Sequence, residues 1–324
     1  MITFCYLTNR LDCRIQWFFD SLHRELQGEY SDVRVVVVDF FQPERTRIEE
    51  LYRGPPDTLF HVEPKPNVWQ GKHRLTQTDF FAAANARNTG LCLAPDGYIV
   101  YVDDLSWLYP GWINEVRWGV EQNVVVAGSY KKVTNLDVEK GELIRQPGIP
   151  ISGVDSRLIK LRHKQKIWGG SVFGCSVGCP VEPLLEINGW DEDCDSMGAE
   201  DYIFGLQIGR KLSIYFCPKM LTYESEELHH QEAPLLRIIK QSKSDIDASH
   251  AMLNSAKSGK NPATFSNFRE VRRNVLDGQP FPIVQIPEHD WRDGQPLETM
   301  GEELRRNANS YSEKGWTKLV QVHD

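Results

Sequence analysis

Apolar positions near the start of the chain fall into two runs with a helical pattern between them. Residues 2–7 (ITFCYL) predict a strand, and Thr8, Asn9 and Arg10 turn out of it. Ile15, Phe18, Phe19, Leu22 and Leu26 then recur at helical spacing, with Asp12 as the expected N-cap. Residues 33–38 form a second apolar run, ending at Asp39. Strand, helix and strand with few residues between them make a βαβ unit and imply a parallel sheet. Downstream, the alanine-rich stretch AAANARNTGLCLA from Ala82 favours helix, and Pro95-Asp96-Gly97 stops it. Residues 98–102 (YIVYV) read as a strand buried in an open α/β sheet. Further on, residues 171–177 predict a short strand. Residues 181–187 predict a helix closed by Asn188-Gly189, and YIFGLQIGRK predicts another with Ile203, Leu206 and Ile208 on its apolar face. In the tail, APLLRIIKQ and SNFREVRRNVL are helical. The Pro-rich connector QPFPIVQIPEHDW is expected to bury Phe281, Ile283, Val284, Ile286 and Trp291 on the rest of the chain.

This pattern places chemistry. Asp103 and Asp104 fall at the carboxyl end of the third strand, where open α/β sheets hold their ligands. Two carboxylates there suit a hard divalent cation that itself grips a diphosphate; alone, they would read as a solvated turn. Trp168-Gly169-Gly170 lets backbone come close to a ligand. Five acids (Asp191, Glu192, Asp193, Asp195, Glu200) then lead to Asp201 at the start of a helix, a place that the helix dipole alone also favours for carboxylates.

At 324 residues, 40% hydrophobic and 25% charged, the chain has the length for a full core, with one main domain plus an appendage. No stretch reaches the apolar length of a membrane span, and no signal-peptide pattern follows Met1. Seven cysteines in no zinc-binding spacing suggest reduced thiols and a cytoplasmic setting. A net charge of −8 argues against a general nucleic-acid binder. Residues 157–166 (RLIKLRHKQK) run against that acidic balance. They read either as a solvated hairpin or as a mobile basic flap over a diphosphate or an anionic acceptor.

Taken in order, the motifs ARNTG (from Ala86), VDD (from Val102), PGW (from Pro110), WGGS (from Trp168), NGWDE (from Asn188) and GAED (from Gly198) resemble those of the GT-A nucleotide-sugar glycosyltransferases. The likeness is strongest to family 2 and its relatives with a galactosyltransferase-like C-terminal acceptor motif, and it spans roughly the first 225 residues. It implies an α/β GT-A fold, Rossmann-like, with a mostly parallel sheet and flanking helices. The expected division is a catalytic domain over 1–228 and a helical or irregular extension over 229–324 packed on it. It further implies a donor, a UDP-linked or other nucleoside-diphosphate sugar, held by Thr8, Asn9, Arg10, Asp39, Arg87, Asp103, Gly169 and Gly170. Mn2+ or Mg2+ would be held by Asp103 and Asp104 with His229 or His230. Asp201 would be the base that deprotonates an acceptor hydroxyl with inversion, and Glu200 would bind the acceptor or serve as the alternative base. Retaining relatives share parts of the second motif, which leaves the stereochemistry open. The acceptor would be a saccharide, protein, small molecule or modified nucleic acid, and Trp112, Trp168 and Trp190 would be available to stack on sugar faces.

Two departures from the family pattern stand out. Phe40, Phe41 and Gln42 follow Asp39 where an acid, a small residue and a serine are usual, which leaves the base open. Leu105 stands where the second Asp of an Asp-x-Asp motif belongs, so either Asp104 has taken over or the metal is held more weakly. The alternatives are a non-catalytic sugar- or nucleotide-binding module of the same fold and a nucleotidyltransferase. The latter would show a Gly-rich phosphate loop after the first strand, which TNRLDCR lacks.

Overall fold

A computed structural model describes residues 1–10, 12–42, 45, 47–65, 82–195, 200–231 and 267–282. The βαβ start forms as expected. Strands β1 (Ile2–Thr8) and β2 (Val33–Asp39) run parallel, Ile2 opposite Val33 and Thr8 opposite Asp39, and α1 (Ile15–Leu26) crosses between them. The helix starts later than Asp12 predicts. Its cap position is Arg14, in the left-handed region at φ 49°, with no side-chain cap. The turn is fixed instead at Cys13, whose carbonyl accepts from the Tyr6 hydroxyl at 2.6 Å, while Asp12 pairs with Arg14 at 2.9 Å.

The short helix α2 (Ile48–Leu51) leads to β3 (Leu59–Val62), which extends the parallel sheet beyond β2. Helix α3 (Ala83–Leu93) leads to β4 (Tyr98–Asp103), parallel to β1 on its other side. Next come β5 (Ser106–Leu108), α4 (Trp112–Gln122), β6 (Val125–Val133) and a small hairpin of β7 (Val138–Glu139) and β8 (Glu142–Leu143). Then follow α5 (Ser156–Lys160), β9 (Gln165–Lys166), β10 (Ser176–Pro180) and α6 (Val181–Glu186). The chain continues through α7 (Glu200–Ile208), β11 (Ile214–Ser225), α8 (Glu226–Gln231) and α9 (Phe268–Leu276). Among the described residues the main sheet has nine strands in the order β3-β2-β1-β4-β10-β6-β11-β5, with β9 also on β11. Strands β10, β5 and β9 run against their neighbours, so the sheet is parallel in its first half and mixed in its second.

Alternation along β1 divides the core. Phe4 and Tyr6 join α1 and Trp112 on one side of the sheet, and Cys5 and Leu7 join α3 and Trp190 on the other. Covered on both faces, these strands read as unbroken apolar runs. The strand expected over 171–177 begins only at Ser176, because the preceding residues cross to α7. A Cβ on Gly169 would lie 2.1 Å from the Gly205 carbonyl oxygen, and the Gly174 N–H donates to Asp201 at 3.2 Å.

The basic stretch is only partly a solvated face. Arg157 is buried, paired with Asp155 at 2.7 Å, set against the Phe173 and Phe216 rings, and donates to the Ser171 and Gly128 carbonyls. Lys164 is taken up by Glu115 at 2.8 Å. The SNFREVRRNVL helix is α9. It lies on α3, with Phe268 buried, its N–H donating to Asn188 Oδ1 at 2.9 Å, and Arg272 donating to the Ala94 carbonyl at 2.7 Å. Phe281 packs partly against the same core. The APLLRIIKQ segment and Ile283, Val284, Ile286 and Trp291 lie outside the described residues. Among the described residues no helix is long and apolar enough to cross a membrane, and all seven cysteines are buried.

Candidate functional site

The carboxyl ends of β1, β2 and β4 come together, and with them Thr8, Asp39, Asp103 and Asp104. A two-residue turn, Asp104-Leu105, joins β4 to β5. Leu105 is buried with φ 60°, a left-handed conformation that a branched side chain rarely takes. Its N–H donates to the Tyr6 hydroxyl at 3.1 Å, which holds the turn. The position that lacks the second Asp is thus a strained anchor that aims Asp104.

Asp104 accepts from the Thr8 hydroxyl at 2.8 Å and pairs with Arg10 at 3.0 Å. Arg10 also donates to the Leu228 carbonyl at 3.3 Å, which ties α8 to the arginine that holds Asp104. Helix α8 carries His229 and His230, whose side chains lie outside the described residues. Asn9 is half-buried in the same turn. Asp39 is fully buried and committed to protein partners: Arg45, His61 at 3.0 Å and the Phe41 N–H at 2.9 Å. A cavity of about 600 Å3 opens beside Arg45, lined among others by Cys13, Trp17, Asp20, Arg53 and Lys140.

Arg87, fully enclosed on α3, joins the two acidic clusters. Its guanidinium donates to Asp103 at 3.1 Å and to Glu200 at 2.9 Å while lying over the Trp190 ring at 4.6 Å. Helix α3 reaches this place because Asp195 caps it from a distance. Ala82 offers no cap, and the Asp195 carboxylate accepts from the Ala84 and Asn85 N–H groups at 2.8 and 3.1 Å. Glu200 and Asp201 open α7, and Asp201 also accepts from the Tyr202 N–H at 2.7 Å. Gly198 of the GAED motif lies outside the described residues. Gly169 and Gly170 serve a close approach, here to α7: Gly169 abuts Gly205, and Gly170 sits under Trp168 and Tyr202.

Acid outweighs base in this space. Burial pushes Asp103 up to about 6, against the pull of Arg87 and with Asp104, Glu200 and Asp201 adding to the rise. Asp104 is also raised, by burial first, with Arg10 opposing. Asp201 is raised by burial and then by Glu200. Sequence reasoning missed Glu224, near the end of β11. Glu224 is buried, pairs in register with Ser106 and Lys132, and is pushed up to about 8 by burial and then by Asp103. The rule that singled out Asp103, a carboxylate ending a strand, would also have found it. Of the three tryptophans, Trp112 and Trp190 are core residues with no exposed surface, whereas Trp168 is 63% exposed and meets Tyr202 edge to face.

An all-oxygen donor set with excess negative charge fits a hard divalent cation. The Asp103 side chain is the more open of the two, at 37% against 16% for Asp104. Among the described residues no three His, Cys, Asp or Glu side chains already form a metal cluster.

No protein-family model matches the sequence, and no curated protein matches it. In three dimensions the chain is similar to GalNAc-T7, whose structure holds UDP, GalNAc and Mn2+, with TM-score 0.52 at 10% identity. That match covers 96% of this chain and 57% of the other, so the chain spans little more than half the length of that relative. Two others are Staphylococcus aureus TarS 1–349 (TM-score 0.44, 12% identity, 89% of this chain and 97% of that one) and a mannosyltransferase, PcManGT from Pyrobaculum calidifontis, in complex with GDP-Man and Mn2+ (0.45, 16%, 98% and 87%). At such identities the likeness is one of architecture: the chain has the GT-A fold.

Proposed function

We propose that this GT-A chain is a metal-dependent glycosyltransferase that moves a sugar from a nucleoside diphosphate, a UDP-linked one in the first instance, to an acceptor hydroxyl with inversion. The observation that carries the reading is Arg87, which joins Asp103 at the end of β4 to Glu200 at the start of α7. The two motifs thus form one site with a donor side and an acceptor side.

On the donor side, Asp103 and Asp104, with His229 or His230 from α8, would hold Mn2+ or Mg2+. The chemistry such an ion supplies when bound is neutralisation of charge on the departing diphosphate. Thr8 and Arg10 orient Asp104. Asn9, in the turn after β1, would meet the nucleoside, and Asp39, buried against Arg45 and His61, would act only through those partners. On the acceptor side, Asp201 takes the proton from the attacking hydroxyl. Its upward shift brings it nearer to the proton it must accept, which favours general-base work. Glu200, fixed by Arg87, binds acceptor hydroxyls or serves as the alternative base.

The test is release of nucleoside diphosphate from a panel of nucleotide sugars, with and without Mn2+. One sugar released only with metal is the expected result. Asp103→Asn should abolish the metal-dependent rise in melting temperature given by UDP, read against the variant's own unliganded value, which is itself lowered by loss of the Arg87 pair. Nucleotide-sugar binding without turnover for any acceptor class would favour a non-catalytic module, and pyrophosphate release from a nucleoside triphosphate would favour a nucleotidyltransferase.

A further inference from the structure

The outer surface of residues 144–168 differs from that of the other described residues. Five of the ten large hydrophobic residues exposed among the described residues lie in this one stretch: Ile144, Ile149, Ile151, Ile159 and Trp168. Ile151 is 92% exposed and Ile159 65%, so both project into solvent. Basic residues alternate with them. Residues 131–166 hold nine Lys and Arg against four Asp and Glu, in a chain whose net charge is −8. Lys160, Arg162 and Lys166 are exposed and have no ion-pair partner among the described residues.

This face is held in place. Val154 bridges to Lys131 and Gly148 to Thr134. The buried Asp155–Arg157 pair fastens α5 to the Gly128 and Ser171 carbonyls. Its far end adjoins the acceptor side, since Trp168 meets Tyr202, the neighbour of Asp201 on α7.

We propose that this face seats the protein peripherally on an anionic membrane surface. A protein partner would favour a flat apolar centre poor in lysine. Isolated isoleucines and a tryptophan set among unpaired cations instead match the boundary between acyl chains and anionic headgroups. The charge complementarity is local, because the remainder of the chain is acidic and is repelled by such a surface. Seated this way, the protein turns the Trp168 end of its site toward the membrane.

The full-length protein is to be sedimented with vesicles of phosphatidylcholine alone and of phosphatidylcholine with 30% phosphatidylglycerol. Binding to the anionic vesicles only, released by 0.5 M salt, is expected. Lys160→Gln with Arg162→Gln should weaken it roughly 25-fold, at about fivefold per charge. Ile151→Asp with Ile159→Asp should abolish it, with the melting temperature unchanged for both variants. Equal binding to neutral vesicles, no binding at all, or variants that bind as the parent does would overturn the proposal. So would a soluble dimer that Ile151→Asp splits, which would make this face a self-association surface. Vesicle binding is read without any transfer assay, so its failure leaves the catalytic proposal standing.

Discussion

Arg87 is the residue on which the site turns. It is a fully enclosed cation with two carboxylate partners in different elements, and its charged form is stabilised by both against the cost of burial. Lysine keeps the charge but has no planar fork to span Asp103 and Glu200 together. Arg87→Lys should therefore cost about 3 kcal/mol, the lower end for a broken buried pair because the Asp103 carboxylate is partly open. Urea unfolding measures this, and a loss under 1 kcal/mol would show that the bridge is dispensable. The base is decided at the same scale. If Asp201 takes the acceptor proton, Asp201→Asn keeps nucleotide-sugar affinity and lowers transfer by about two to four orders of magnitude. Glu200→Gln should act mainly on the acceptor KM. A carboxylate that only complements the helix dipole would instead cost up to about 1 kcal/mol of stability with turnover intact. Rate and melting temperature measured on both variants separate these outcomes, and near-normal transfer by Asp201→Asn moves the assignment to Glu200.

Among the elements, β2 carries a pH dependence. Burial alone would raise the Asp39 carboxyl. Hydrogen bonds from His61 and Arg45, the Arg45 charge and the Phe41 N–H outweigh it, and the net shift is downward from 3.8. A carboxylate with a depressed pKa in the folded state stabilises the fold fully above its unfolded value. That contribution is lost as pH falls below 3.8 through the folded value. Asp39→Asn should therefore be less stable than the parent at pH 7, and the gap should close in acid. Denaturant midpoints between pH 7 and pH 2.5 measure it; a gap that is constant across that range would mean that Asp39 acts by shape alone. Elements also set the limits of sequence reading. Strands β1, β2 and β4 were legible as unbroken apolar runs, and helices α3, α6 and α7 from helix-forming or helically spaced residues with turn residues at their ends. Residues 171–175 were misread as strand, because contact with Gly205 and Asp201 on α7 settles their path, and sequence distance hides that contact. Arg157 was misread in part for the same reason: Asp155 is a local partner, but the Gly128 and Ser171 carbonyls reach Arg157 only when β6 and the Gly169–Ser171 turn meet.

For the whole molecule, the ordered motifs carried the architecture, while the partners of charged residues emerged only with the assembled sheet. Glu224 comes to the acidic site from β11, between β5 and β6, and Asp195 caps a helix that begins over 100 positions earlier in the chain. The described part of the C-terminal region makes the same point and allows a quantitative test. Helix α9 touches the molecule in two chemically distinct ways. Phe268 is buried in the α3-side core, with the Lys65 ammonium 5.0 Å from its ring centre, whereas Arg269 makes an exposed pair with Glu182 at 2.6 Å. Removing a buried phenyl ring sacrifices its transfer energy and leaves a cavity, so Phe268→Ala should cost about 3 kcal/mol or more. Exposed ion pairs gain little over their hydrated parts, so Arg269→Ala should cost about 0.5 kcal/mol or less. Both variants in the full-length chain, unfolded by denaturant under the same conditions, give the comparison. A large loss for Phe268→Ala beside a small one for Arg269→Ala would show that α9 is an integral layer of the GT-A fold. Equal and small losses would mean that the region around α9 is only tethered to it, and the boundary expected at residue 228 would then separate two independent units.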